Sequence, residues 1–383
     1  MEHTVYFRRQ PDYDQQAMDQ AVEAFFAASP AAARLKDGMR VTIKPNLLAK
    51  HAPEKGVTTH PALVRAVIRA VKRRGVSAIT VADSPGGVYT PAIMKSIGQV
   101  SGIAQVCQEE GAVFYTDCQF GPRSCQGELV HQFNLIQPVL EADFLIDLPK
   151  MKTHVMTTVT AGVKNLFGTI PGLQKAELHM RFPDKKRFGR MLTDLCCLLQ
   201  PDLTILDAVT AMEGDGPAGG RPRQVGLLLA SEDVWSLDLA VCTLMGVKPQ
   251  RVPYLAVGIR AGLCPEVFDP QLARGDADAL APIAGYQLPS SYVQMDFSNR
   301  FPKPLRWAAP TVVKLAAPRP RIRRAKCIGC GKCAEICPQK TIHLQDKKAR
   351  IDPAHCIRCF CCHEMCPVKA IDVYRPLGAL FNL

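Results

Sequence analysis

Near the C-terminus, CIGCGKCAEICP (327–338) returns as CIRCFCCHEMCP (356–367). Cys327, Cys330, Cys333 and Cys337 follow the spacing C-x2-C-x2-C-x3-C-P, and Cys356, Cys359, Cys362 and Cys366 repeat it 29 residues on. Pro338/Pro367 and Lys340/Lys369 keep the same offset, so the segment is an internal duplication. Three thiolates two residues apart present their sulfurs to one multinuclear core, while the fourth is carried away on a short helix. A zinc ion takes four ligands and has no use for the whole run repeated. Few folds can use this pattern, and all of them build a small module around metal and sulfide. Cys361 lies inside the second run but out of register, and it reads as a bystander.

The segment 325–372 resembles the bacterial two-cluster ferredoxins. That resemblance implies two [4Fe–4S] clusters whose fourth ligands are exchanged between the runs. Cys327, Cys330, Cys333 and Cys366 would hold one; Cys356, Cys359, Cys362 and Cys337 the other. The remaining cysteines (Cys107, Cys118, Cys125, Cys196, Cys197, Cys242 and Cys264) form no C-x2-C pair, and core packing is the expectation for them. A disulfide scaffold suits a short secreted chain, not one of 383 residues.

The N-terminus carries no apolar leader-like run, and no apolar run approaches the ~20 residues of a membrane span. A cytoplasmic protein without a membrane span is therefore expected. The formal charge of +12 falls by about four once eight thiolates and two doubly charged cores are counted. The basic residues are scattered except in RPRIRRAK (319–326), with no nucleic-acid-binding motif beside them. An acidic protein partner or an anionic substrate fits this charge better than nucleic acid.

From residue 4 to about 265, β-branched runs alternate with amphipathic stretches. Strands are expected at 40–43, 78–82, 143–148, 203–209 and 225–230, and helices at 61–75, 91–110, 186–199 and 236–246. The expected fold is α/β, a largely parallel sheet flanked by helices, with a small C-terminal α+β two-cluster ferredoxin-like domain. The division reads as 1–300 for the α/β domain, 301–325 for a proline-rich basic linker, 326–372 for the cysteine module and 373–383 for a tail. Trp307, Val312, Val313 and Leu315 suggest that the linker packs on the body or a partner, and the apolar tail is expected to dock likewise.

Polar clusters follow several strands: KPN (44–46), DSPGG (83–87), PKMKTH (149–154) and DAVTAMEGDGPAGG (207–220). In a parallel sheet the strand ends share one edge, where ligands bind. GDGPAG (214–219) has the outline of a dinucleotide loop, but Pro217 interrupts it and a strand, not a helix, follows; nucleotide binding is not expected there.

IKPNLL, THP, ADSPGG, LPKMKTH, TAGVKNLFGTIPG and LDAVTAMEGDGP, together with the two-cluster tail, resemble the family known as domain of unknown function three-six-two. The likeness runs over residues 4–372. It implies an iron–sulfur protein of reductive metabolism and supplies no substrate.

The residues suggest a site nonetheless. Lys152, His154 and Lys164 are the candidates for supplying protons or stabilising charge, with His179 nearby in sequence. Lys44, Asn46, Asp83, Lys150, Asp207 and Asp215 are the candidates for binding substrate. Clustered cations favour an anion or the negative charge that develops as an unsaturated bond accepts electrons. The reading is an iron–sulfur oxidoreductase acting on a small substrate or bound cofactor. The alternatives are an electron carrier for a donor or acceptor protein, and a maturation protein with structural clusters.

Overall fold

The computed structural model describes residues 4–292 and 317–375. The proline-rich linker and the tail lie mostly outside the described residues, as do Trp307, Val312, Val313 and Leu315. The body alternates β1 (Val5–Arg9), β2 (Arg40–Pro45), β3 (Ala78–Val81), β4 (Val113–Phe114), a separate hairpin of β5 (Phe120–Ser124) and β6 (Gln132–Ile136), β7 (Phe144–Leu148), β8 (Lys150–His154), β9 (Thr158–Thr160), β10 (Leu203–Glu213), β11 (Arg221–Ser231) and β12 (Ala273–Gly275).

One sheet runs β12-β1-β11-β10-β7-β2-β3-β4, with β8 and β9 attached beside β10. All of its strands are parallel except β11 and β9. Alternate residues of each strand enter opposite faces. On β10, Leu203, Ile205 and Val209 join the core under the helices Gln15–Ala28 and Pro61–Lys72. Leu206, Ala208 and Ala211 join the core under Lys185–Leu199 and Val234–Met245. The sheet is thus the middle of three layers, as the alternation required.

The helix Pro61–Lys72 illustrates how local sequence sets an element. Pro61 occupies the first turn, where its missing N–H costs nothing, and the His60 ring accepts from Ala62 N. Leu63, Val64, Val67, Ile68 and Val71 are all buried, while Arg65 and Arg69 reach Glu110. The stretch 91–110 is two helices, Pro91–Ser101 and Ile103–Glu109, because Gly102 turns left-handed between them. Among the described residues no helix is long and apolar enough to cross a membrane.

PKMKTH, expected as a polar cluster following a strand, is itself mostly a strand. Its residues 150–154 form β8, pairing with β10 and β9. The alternation Lys-Met-Lys-Thr-His is a strand period that polar composition disguised. Three cysteines also depart from expectation: Cys197 is exposed and Cys118 and Cys125 are half-buried, whereas Cys107, Cys196, Cys242 and Cys264 are in the core.

The C-terminal module pairs β13 (Arg319–Ile322) with β16 (Ile371–Tyr374) and β14 (Ile342–Gln345) with β15 (Lys348–Ile351), both antiparallel. Short helices Lys332–Ile336 and Cys361–Glu364 lie within the two cysteine runs, each ahead of the run's last cysteine. The duplication persists in the hydrogen bonds: Thr341 N donates to Cys337 Sγ (3.4 Å) and its repeat Ala370 N to Cys366 Sγ (3.1 Å).

Candidate functional site

The C-terminal ends of β2, β3, β7 and β10 lie along one edge of the body, and the cysteine module sits against that edge. Between them is a cavity of about 70 Å³. All four polar clusters reach its wall, through Asn46, Asp83, Lys152, His154 and Pro217. Lys164, Lys175 and His179 add a third side, and Cys361, Glu364, Ile336 and Met365 of the module close it.

Hydrogen bonds hold the floor. Lys152 Nζ donates to Asn46 Oδ1 (2.8 Å) and to the Val57 carbonyl (2.8 Å). Asn46 Nδ2 donates to Asn165 Oδ1 (2.8 Å), and Asn165 Nδ2 to Asp147 Oδ1 (2.7 Å). This amide relay runs from the cavity into the sheet and fixes Lys152 in position. Burial, reinforced by Lys164 and Lys150, brings the Lys152 ammonium down to about 7. Burial also brings Lys175 to about 7, against the pull of Asp83. Lys175 is held by Ser84 Oγ (3.0 Å) and by the Pro85 and Ile170 carbonyls.

Two histidines line the cavity as neutral rings. Burial and neighbouring cations push His154 well below its ordinary range and His179 to about 3. His154 Nδ1 accepts from Met156 N (3.1 Å), so Nε2 carries the proton and faces Glu364 Oε1 at 3.4 Å. Burial raises the Glu364 carboxyl, with Lys164 opposing. Lys164 itself is lowered by burial.

Other candidates serve elsewhere. Lys44 stands behind Asp83, 3.0 Å from Oδ1, and completes a buried pair rather than a wall. Gly168 packs on that pair; a Cβ there would lie 2.7 Å from Lys44 Nζ and still closer to Asp83. Lys150 and Asp207 meet each other (2.8 Å) and Tyr13 OH, which is 2.8 Å from Lys150 and 2.9 Å from Asp207. That closed network pins β8, β10 and the N-terminal segment, away from the cavity. Asp215 also misses the cavity. Its carboxylate accepts from Ser290 N and Oγ, and its carbonyl faces His363 Nε2 (3.0 Å).

The loop 214–220 is the seat of the module. Lys369 Nζ donates to the Gly220 carbonyl (2.8 Å). Gly219 lies under the His363 ring, where a Cβ would stand 2.5 Å from Nε2. The glycine spacing that mimics a nucleotide loop is here a flat docking surface.

Within the module, one cavity is lined by Cys327, Cys330, Cys333 and Cys366, and another by Cys337, Cys356, Cys359 and Cys362. The first draws three cysteines from one run and one from the other; the second does likewise and has Cys361 at its wall as well. Among the described residues, no three His, Cys, Asp or Glu side chains converge as a single metal ion requires. Four sulfurs around a cavity fit a cluster, whose core is far larger than one ion. Cys361, expected to be a bystander, is buried beside Cys359 and lines both this second cavity and the main one, packed with Ala176 and Ile336.

Sequence reasoning missed Ser84, Thr160, Asn165, Lys175 and Glu364. Lys175 and His179, four apart on Gln174–Arg181, share a helix face and were the readable signal.

A model of the domain of unknown function DUF362 matches residues 41–243, and a 4Fe-4S dicluster domain matches 319–367. The thylakoid-associated protein sll1697 of Synechocystis sp. is 34% identical over 268 residues, 69% of this chain and 80% of that one. Among solved structures, the lactate racemase apoprotein of Thermoanaerobacterium thermosaccharolyticum aligns with a TM-score of 0.39 at 14% identity, covering 61% of this chain. A Thermotoga maritima protein aligns at 0.35 and 11%, covering 56%. This chain spans only 55% of each of those two structures. The chain belongs to the DUF362 family of unknown function and carries a 4Fe–4S dicluster domain at its C-terminal end.

Proposed function

We propose that the protein is an iron–sulfur oxidoreductase that reduces a small anionic or unsaturated substrate, or a bound cofactor, in the cavity between body and module. Cys327, Cys330, Cys333 and Cys366 would hold one [4Fe–4S] cluster, and Cys337, Cys356, Cys359 and Cys362 the second. When bound, the clusters supply single electrons at low potential. The observation that carries this reading is the seating of the module: Cys359 and Cys361 pack with Ala176 and Ile336, at the wall of a cavity rich in lysine.

The chain's own groups match the needs of such a reaction. Lys152, poised near neutrality, can give up a proton to a reduced atom. His154 Nε2–H can donate to developing negative charge, with Nδ1 held by the backbone. Lys164 places positive charge on the same cavity. The amide relay keeps these groups in place, and the docked module forms one wall of the cavity.

The test is anaerobic purification with iron and sulfide counts, followed by reoxidation of the reduced protein. About eight irons per chain are expected, with reoxidation triggered by substrate alone. Colourless, zinc-loaded protein would end the proposal. Exposed Ile328 and Cys330 at the outer run favour a donor protein docking there. Reoxidation only on adding a second protein would instead make the chain an electron carrier.

A further inference from the structure

The walls of the main cavity differ in character. Its lining is of two kinds: Lys164, Thr160 and His179 are polar, whereas Ile336, Met365 and Ala176 are apolar, with Ala176 packed on Ile336. The polar lining has unmet hydrogen-bonding capacity. Among the described residues, Lys164 Nζ has no hydrogen-bond partner and rests 4.6 Å over the Phe167 ring. Thr160 Oγ1 and His179 Nδ1 are buried without partners, although Thr160 is 3% and His179 4% exposed. Buried polar groups are seldom left unpaired, because each forfeits the hydrogen bonds it had in water.

Charge points the same way. Lys152, Lys164 and Lys175 face two carboxylates, Asp83 and Glu364, and Asp83 is already matched by Lys44 at 3.0 Å. With Lys44 and Asp83 cancelling, the three cavity lysines face Glu364 alone, so positive charge is in excess. A water needs about 10–15 Å³ of such space, so a volume of about 70 Å³ admits about five or six non-hydrogen atoms. A phosphate or sulfate would satisfy the charge but leave the apolar wall without a partner.

We propose that the cavity binds a small aliphatic monocarboxylate of about three or four carbons, its carboxylate on Lys164 and Thr160 and its hydrocarbon end against Ile336, Met365 and Ala176. This rests on reading the cavity as the substrate site and names the substrate class. Lys164 supplies the charge-assisted hydrogen bond, the strong one of the set. The module contributes the apolar wall, so the site is complete only when the module is docked.

The test is calorimetric titration of the anaerobically purified, iron-loaded full chain in its oxidised form, without any electron donor. Butanoate is the probe, with butanamide as its neutral counterpart and inorganic phosphate as a small anion without hydrocarbon. Butanoate should bind saturably and about ten-fold or more tightly than either comparator. Lys164→Met should weaken it about ten-fold or more, with iron content unchanged. Should Lys164→Met fail to retain iron, Thr160→Val decides, with a smaller loss of about three-fold or more expected.

The proposal is overturned by absence of butanoate binding, by equal binding of butanamide or phosphate, or by unchanged binding in the deciding variant. The oxidoreductase reading can fail separately. Butanoate binding in a protein whose reduced form no small molecule reoxidises would refute that reading alone. Reoxidation by a neutral acceptor, with no carboxylate bound, would refute only the substrate class.

Discussion

The two cysteine runs share a spacing and a local fold but not an environment. In the first run Cys330 is exposed, Ile328 is 61% exposed and Glu335 faces solvent. At the matching positions of the second run, Cys359 is buried and the Glu364 side chain is 12% exposed against His154. Lys332 of the first run, exposed, corresponds to Cys361, buried in the cavity wall. The duplication therefore builds a nearly symmetric scaffold, and docking on the body breaks the symmetry. The first run turns outward except at Ile336, and the second turns inward. A chain with two like halves acquires a direction only from what it touches.

The sharpest way to break this comparison is to remove one ligand from each run. Cys359→Ala and Cys330→Ala should each lower iron by about half. Only Cys359→Ala should abolish substrate-driven reoxidation, whereas Cys330→Ala should slow reduction by an external donor. Equal effects on both half-reactions would deny any directional difference between the runs.

Next in size is the inward wall itself. Lys152→Ala combined with His154→Ala should cut substrate reduction by about a hundred-fold or more at unchanged iron content. Intact turnover would remove both from the chemistry. Gly219→Val places a side chain where a Cβ already meets His363 Nε2 at 2.5 Å, and should tilt the module off its seat. Reoxidation by substrate should slow by about ten-fold or more, while the same protein keeps its iron and its reduction by an external donor.

A subtler test uses pH. Burial sets the folded-state values of Lys152 and Lys175 at about 7, below the 10.5 of an exposed lysine. Between these values the unfolded chain binds more protons than the folded one. The cost of burying two ammonium groups is thus full below pH 7 and shrinks as pH rises. Stability should rise by about 1 kcal/mol per lysine from pH 7 to 8. Denaturant melts of the wild type against Lys152→Met/Lys175→Met check this, because the slope should flatten in the variant. The smallest effect is expected at Glu335→Gln, within about 0.5 kcal/mol of wild type by melting and silent in turnover. Its repeat Glu364→Gln should lower turnover through the lost contact with His154.

Much of the architecture was legible because it rests on local rules. Pro61 and the Leu63–Val71 stripe announce a helix whatever surrounds it, and the β-branched run at 203–209 announces a strand. The candidate site was legible in part. Asn46, Asp83, Lys152 and His154 meet because strand ends of a parallel sheet share an edge, which is a rule of topology. Lys150 and Asp207 look identical in kind, yet they close on Tyr13 instead. Their partner lies far away in sequence, in the N-terminal segment, and nothing local marks it. Likewise, polar composition hid the strand at 150–154, whose pairing with β10 is decided across the sheet.

By itself, then, the sequence determined the spacing of the two cysteine runs, the duplicated module and the layered α/β body, since each follows from residues close together in the chain. Tertiary structure alone decided which lysines line the cavity, that the 214–220 loop is a seat for the module, and that Cys361 and Glu364 complete the wall. The physical reason is that burial and charge pairing belong to contacts between distant segments. A side chain acquires its protonation and its partner only when those segments are brought together.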